Sequence, residues 1–116
     1  MDKTSINELK TQLEKFAEAR DWDQFHTPKN LAMALSSEVG ELLEIFQWLT
    51  PEESKLKNLG PEKYQECREE IADVFTYLIR LADKLDIDLE KVFWEKMEKN
   101  GKKYPVGSEK TKFKNK

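Results

Sequence analysis

Residues 30–49, NLAMALSSEVGELLEIFQWL, carry carboxylates where a packed helix should carry methyl groups, and no other feature constrains the chain as much. Leu31, Leu35, Leu42, Ile45 and Leu49 follow the four-and-three spacing of a buried seam, and the member missing from that seam is Glu38. Glu41 lies one turn on and is expected on the same face. Further along, Tyr64, Cys67, Ile71, Val74, Leu78, Leu81 and Leu85 form a second seam, with Glu70 and Asp73 along its edge at three-residue spacing. Two helices, each with a pair of acids beside its apolar stripe, imply one shared cation site.

With 116 residues the chain supports one domain and a modest core. Charged residues make up 37% and hydrophobic ones 38%, a balance that suits amphipathic helices rather than a disordered tail. No apolar run approaches the length of a bilayer span, and MDKTSINELK lacks the apolar core of a signal peptide, so the cytosol is the expected home and no membrane the expected partner. Cys67, the single cysteine, falls on a seam and is expected to fill core space as a reduced thiol. The net charge of −3 is uneven: six lysines and one glutamate put +5 on residues 101–116 and leave −8 on residues 1–100. A body that acidic is a poor partner for a nucleic acid polymer. The basic end, residues 106–116, is expected to be a flexible tail after a helical domain of residues 1–105.

Taken in order, Ser5 and Glu8 have capping-box spacing, and Ile6, Leu9, Leu13 and Phe16 supply a stripe, so a first helix is predicted over residues 5–19. After the loop DWDQFHT, Thr27 and Pro28 open the acid-bearing helix, predicted to stop near Leu49. Thr50, Pro51 and Glu53 form a further cap signal, sufficient for a short turn. Gly60 and Pro61 begin a third long helix that reaches about Lys84. Asp86 or Asp88 caps a fourth, with stripe Leu89, Val92, Phe93, Lys96, Met97 and Asn100 and with Gly101 as its closing glycine. No alternating strand pattern, phosphate-binding glycine loop or internal repeat is present. The expected fold is all-α, a bundle of about four helices whose wide apolar faces call for assembly with further copies.

Glu38, Glu41, Glu70 and Asp73 brought to one helix crossing would concentrate up to four negative charges, raising their pKa values or driving the helices apart unless a cation joins them. Oxygen ligands without cysteine or histidine favour a hard ion, magnesium with manganese as substitute, over zinc, and magnesium favours phosphate chemistry. Most helical glutamates are merely solvated, and a single ExxE arises often by chance. Two such pairs beside two seams are harder to dismiss; Glu44, Glu52, Glu53, Glu66 and Glu69 keep the solvated reading. Trp22, Phe25 and His26, with Trp48, form an aromatic group able to hold a base, stacking being worth about 1–3 kcal/mol per base. Aromatics also plug cores, and that reading applies with equal force to Phe25. His26, the only histidine, has no metal-ligand spacing and suits a hydrogen bond to a base edge or a cap. Tyr77 follows Asp73 by one turn, placing its hydroxyl within reach of a bound substrate.

The pattern Glu38-x-x-Glu41, a gap over residues 42–69, then Glu70-x-x-Asp73 resembles the signature of the all-alpha, MazG-like nucleoside triphosphate pyrophosphohydrolases. The runs RDWDQFHTPKNLAMALSSEVGELLEIFQW, EEIADVFTYL and NGKKYP are most similar to the dCTP pyrophosphatase branch, and the likeness covers nearly the whole chain. The resemblance implies hydrolysis of a nucleoside triphosphate, dCTP or a related deoxynucleotide, between its α and β phosphates, clearing unwanted deoxynucleotides. It implies magnesium on Glu38, Glu41, Glu70 and Asp73, with catalysis at the same acids. It also implies a nucleoside held by Trp22, Phe25, His26, Trp48 and Tyr77, and phosphate contacts from Asn100, Lys103 and Tyr104, possible across subunits of a dimer or dimer of dimers. Two rivals remain on the residues alone. A di-iron bundle would need Glu-x-x-His pairs, which are absent; a non-catalytic helical interaction module with a carboxylate metal site would leave the aromatic loop without a purpose.

Overall fold

Helix starts are set by side chains that satisfy the first free N–H groups. Ser5 Oγ accepts from the Glu8 N–H at 3.1 Å and opens α1, Ile6–Ala19. Thr27 Oγ1 accepts from the Asn30 N–H at 3.2 Å and, with Pro28 at the first position, opens α2, Pro28–Phe46. The computed structural model describes residues 5–107, which also hold α3 (Leu56–Leu59), α4 (Pro61–Lys84) and α5 (Leu89–Lys103). No strand occurs among the described residues, and no helix there is long and apolar enough to cross a membrane.

The all-helical expectation holds, with corrections at the ends. Helix α2 stops at Phe46, earlier than predicted, and Thr50 and Glu53 form a reciprocal box after it: the Thr50 N–H donates to Glu53 Oε1 at 2.8 Å and the Glu53 N–H to Thr50 Oγ1 at 3.1 Å. The polar stretch before Gly60 contains the single turn α3. Gly60 has φ 83°, ψ 156°, a conformation open essentially to glycine alone, and it resets the chain direction before Pro61. Gly101 is not a closing glycine, because α5 runs through it to Lys103. Asp88, not Asp86, caps α5, since its Oδ1 accepts from the Lys91 N–H at 3.1 Å. Asp86 instead has φ 54° and ends α4.

Two compact units meet in the chain at Asp86 and Ile87. In the first, α2 and α4 form the main pairing and α1 packs on α4. Leu31 of α2, Cys67, Ile79 and Ala82 of α4 and Ala17 of α1 are buried, so Cys67 fills the core as expected. The α4 seam is only partly covered: Ile71 is 55% exposed, and Tyr64, Leu78 and Leu85 are also exposed. Its apolar stripe is wider than α1 and α2 can cover within this unit. The second unit contains α5, on which Phe93 packs edge-to-face against Trp94 at 5.0 Å. Of the tail predicted over residues 106–116, only Val106 and Gly107 lie within the described residues.

Leu31 is 1% exposed, so Leu31→Ala should cost about 2–4 kcal/mol in urea unfolding, the loss of buried side chain plus a partly collapsed cavity. A loss under about 1 kcal/mol would mean that the α2–α4 seam is not the principal core.

Candidate functional site

Helical spacing places Glu38 and Glu41 on one face of α2, and Glu70 on the face of α4 that packs against it. Carboxylate oxygens of these three residues lie within 4.8 Å of one another. Glu38 Oε2 and Glu70 Oε2 are buried and have no hydrogen-bond partner. None of the ion pairs among the described residues involves these acids.

Like charges forced together while losing water cannot all stay ionised at neutral pH. Burial pushes the Glu38 carboxyl above its ordinary value, and the charges of Glu41 and Asp73 add to the push. Glu70, sharing a hydrogen bond with Glu38 and then losing hydration, is pushed up to about 7. Two oxygens shut away without a donor, in a set that must otherwise hold a proton, are what a divalent cation with oxygen ligands would satisfy. The residues present therefore fit magnesium or manganese. A cleft of about 410 Å³ opens on the cluster, lined by Glu41, Glu44, Ile45, Lys63, Glu66 and Glu70. Glu44 and Glu66, assigned from sequence to solvent alone, border the site, and Lys63 is a cation at its rim that the sequence reading missed.

Asp73 departs from the expected quartet. It is exposed and stands outside the close trio. It lines instead a second cleft of about 310 Å³ with Trp22, His26, Tyr77, Thr76 and Arg80 among its neighbours. Its charge still acts on Glu38, so the acids and this cleft adjoin. Glu70, Asp73, Tyr77 and Arg80 recur at three- and four-residue intervals along one face of α4, a run of about 15 Å at the helical rise.

The aromatic loop is held by local backbone chemistry. Asp21 has φ 56°, a left-handed conformation that aspartate tolerates, and the Trp22 N–H reaches back to Ala17 O at 2.9 Å while the Asp21 N–H donates to Glu18 O at 3.1 Å. A 3₁₀ turn, Asp23–Phe25, follows, and Asn30 Nδ2 donates to Phe25 O at 2.9 Å, tying the turn to α2. Trp22 lies edge-on to Phe16 at 5.7 Å and 6.4 Å from the His26 ring. Trp22, His26 and Tyr77 thus line one cleft, whereas Phe25 is 60% exposed and Trp48 86%, and neither lines it. Asn100, Lys103 and Tyr104 lie at the end of α5, in the second unit, where the Tyr104 N–H donates to Asn100 O at 2.8 Å.

Behind the cleft is an ion cluster with no counterpart in the sequence reading. Arg80 is 2% exposed; its Nη2 donates to Asp23 Oδ1 at 2.9 Å and its Nη1 lies 3.5 Å from Asp83 Oδ2. Lys84 Nζ reaches the same Asp23 oxygen at 2.7 Å. These cations, Lys84 foremost, hold the Asp23 carboxyl below its ordinary range. The available signal was an arginine one turn beyond Tyr77, on a face already singled out.

The two longest helices among the described residues thus carry a carboxylate cluster beside an aromatic cleft. The MazG-like family model matches residues 33–115, and the chain belongs to that family. It is 40% identical over 102 residues to dCTP pyrophosphatase 1 of Homo sapiens and 39% identical to that of Bos taurus, in each case over 88% of this chain. The chain spans 60% of the length of these relatives. A solved structure of a pyrophosphatase from Archaeoglobus fulgidus superposes with a TM-score of 0.78 at 45% identity, over 85% of this chain and 91% of that one.

A carboxyl whose folded pKa lies above its unfolded value favours the fold below the unfolded value and loses that contribution as pH rises through the folded one. For Glu70 the window runs from its ordinary 4.5 up to about 7. The melting-temperature gain of Glu70→Gln over the metal-free parent should therefore grow as pH rises through that window, and magnesium should reverse its sign. His26, lowered by burial, titrates in both proteins and cancels in the difference. A difference independent of pH would show that Glu70 ionises freely.

Proposed function

We propose that this protein is a magnesium-dependent nucleoside triphosphate pyrophosphohydrolase that cleaves dCTP or a related deoxynucleotide between the α and β phosphates, releasing the monophosphate and pyrophosphate. The observation that carries this reading is adjacency: Asp73 borders the aromatic cleft while its charge acts on Glu38 of the acid cluster. A substrate with a flat base at one end and a polyanion at the other matches that sequence of surfaces. The name of the relatives, dCTP pyrophosphatase 1, supports that substrate and reaction, and the superposed structure, a pyrophosphatase, supports the reaction class alone.

In this reading Glu38, Glu41 and Glu70 hold magnesium, with Asp73 completing the set from the cleft side. Magnesium bound there would neutralise phosphate charge and make a water more acidic. The chain's own work is positioning and proton transfer: α2 and α4 hold the carboxylates at fixed separations, and a glutamate of the set takes the proton of the attacking water. Trp22 and Tyr77 offer faces for the base, and His26 a polar edge. Lys63 at the rim of the acidic cleft is placed to meet phosphate oxygens. Phe25, Trp48, Asn100, Lys103 and Tyr104 join as outer contacts on the strength of the family likeness.

The same reading includes a dimer or dimer of dimers in the cytoplasm, supported by the uncovered apolar residues Val39 and Leu43 of α2 and Ile71, Phe75 and Leu78 of α4. The rival, a non-catalytic interaction module with a carboxylate metal site, would account for the two buried carboxylate oxygens but leaves the adjoining aromatic cleft without a purpose.

A panel of nucleoside triphosphates should yield pyrophosphate with magnesium present, and Glu38→Gln should lower kcat/KM by at least about a hundredfold while melting within a few degrees of the parent. Release of single phosphate would mean a different bond is cut, and an unchanged Glu38→Gln enzyme would remove that residue from the site. Because Trp48 is 86% exposed, Trp48→Ala should leave melting unchanged and raise KM severalfold. An unaltered KM would place Trp48 outside the substrate's path.

A further inference from the structure

Arg80 is a charge buried to 2% exposure, and none of the chemistry above uses it. A guanidinium so placed needs partners for its donors, because it has no acceptor and does not lose its proton. Asp23 and Asp83 take the two Nη groups. The remaining contact is to the His26 ring: Arg80 Nε lies 3.3 Å and Nη2 3.2 Å from Nδ1.

Both arginine atoms are donors, so Nδ1 must be the bare, accepting nitrogen. The ring proton is thereby assigned to Nε2. A second proton on Nδ1 would set donor against donor, which keeps the imidazole neutral. Burial first, then the Arg80 charge, lowers the His26 pKa, in agreement with that geometry; Asp23 opposes and Lys84 reinforces it. The ring lines the cleft with Trp22 and Tyr77.

We propose that Arg80 is a positioning residue that locks His26 as its Nε2–H tautomer, so that the cleft offers a nucleobase a fixed hydrogen-bond donor and selects bases presenting an acceptor there. The selection rests on the cleft being the nucleoside pocket; the tautomer does not. Without the lock, the two neutral forms would interconvert and part of the population would meet the base with an acceptor instead. Asp23, held by both Arg80 and Lys84, anchors the guanidinium and hence the ring.

The chain has one histidine, so ¹⁵N ring correlations report this side chain without ambiguity. The parent protein should show a single tautomer protonated at Nε2, and Arg80→Lys, which keeps the charge but loses the fork, should show a mixture. With dCTP, Arg80→Lys should raise KM about tenfold and lower kcat by less than about threefold, the size of one lost oriented hydrogen bond. In a His26→Ala background the same change should alter KM by less than about twofold, because the residue through which it acts is gone. Should Arg80→Lys fail to fold, Asp23→Asn loosens the same anchor, and the parent spectrum alone remains decisive. A parent ring protonated at Nδ1, or a KM effect that persists without His26, overturns the proposal. A parent protein with the locked ring that hydrolyses no triphosphate would instead sink the nucleotide reading and uphold the hold of Arg80 on His26.

Discussion

Three carboxylates held within 4.8 Å of one another between α2 and α4 are the constraint on which the rest depends. An ordinary helix pair closes with methyl groups on both sides, and replacing them with acids costs desolvation and repulsion that nearby packing must offset. Here Leu31, Cys67 and Ile79 remain buried in the same pair of helices, so the pairing persists with acids in its seam. Without a cation the cost shows as Glu38 and Glu70 carboxyls pushed above their ordinary values, and one oxygen of each stays buried and unpartnered. That arrangement resembles a receptor for a hard cation more than a structural ion cluster, whose members would be paired.

Helix α4 turns this local conflict into a site with two ends. Its middle third carries Glu70 and Asp73, and its last turns carry Tyr77 and Arg80 on the same face. The acid end faces α2; the other end faces α1 and the 3₁₀ turn, where Trp22 and His26 complete a cleft. Asp21 in a left-handed conformation ends α1 sharply enough to bring Trp22 back against it, and Asp23 then meets Arg80 and Lys84 of α4. One backbone reversal and one buried ion cluster therefore set where the aromatic rings stand. The acid cluster and the aromatic cleft therefore share one helix as support, and in the proposed reading reaction chemistry and substrate recognition would be held in fixed register.

Periodicity made much of this legible. The caps at Ser5 and Thr27, the box at Thr50 and Glu53, the span of α4, the shared face of Glu38 and Glu41 on α2 and the place of Glu70 beside the α4 seam all follow from spacing that sequence displays directly. What spacing could not show was the pairing of distant parts. Asp23 lies 57 residues from Arg80, and nothing local marks either as the other's partner. The same limit applies to Asp73, whose three-residue interval from Glu70 fixes a shared helix face but not which neighbour covers each end of it. Gly101 misled for a different reason: glycine is permitted within a helix as well as after one, at a cost of about 1 kcal/mol, and α5 continues through it to Lys103.

The most direct measurement is proton release on adding magnesium or manganese to weakly buffered protein near pH 6, in the absence of nucleotide. With Glu70 pushed up to about 7, most molecules there hold a proton in the cluster, and a cation entering it must expel that proton, giving about one proton per site filled. Saturable binding with that release, absent from Glu70→Gln, is the result this account predicts. Saturable binding with no proton released, or no binding at all, would contradict it.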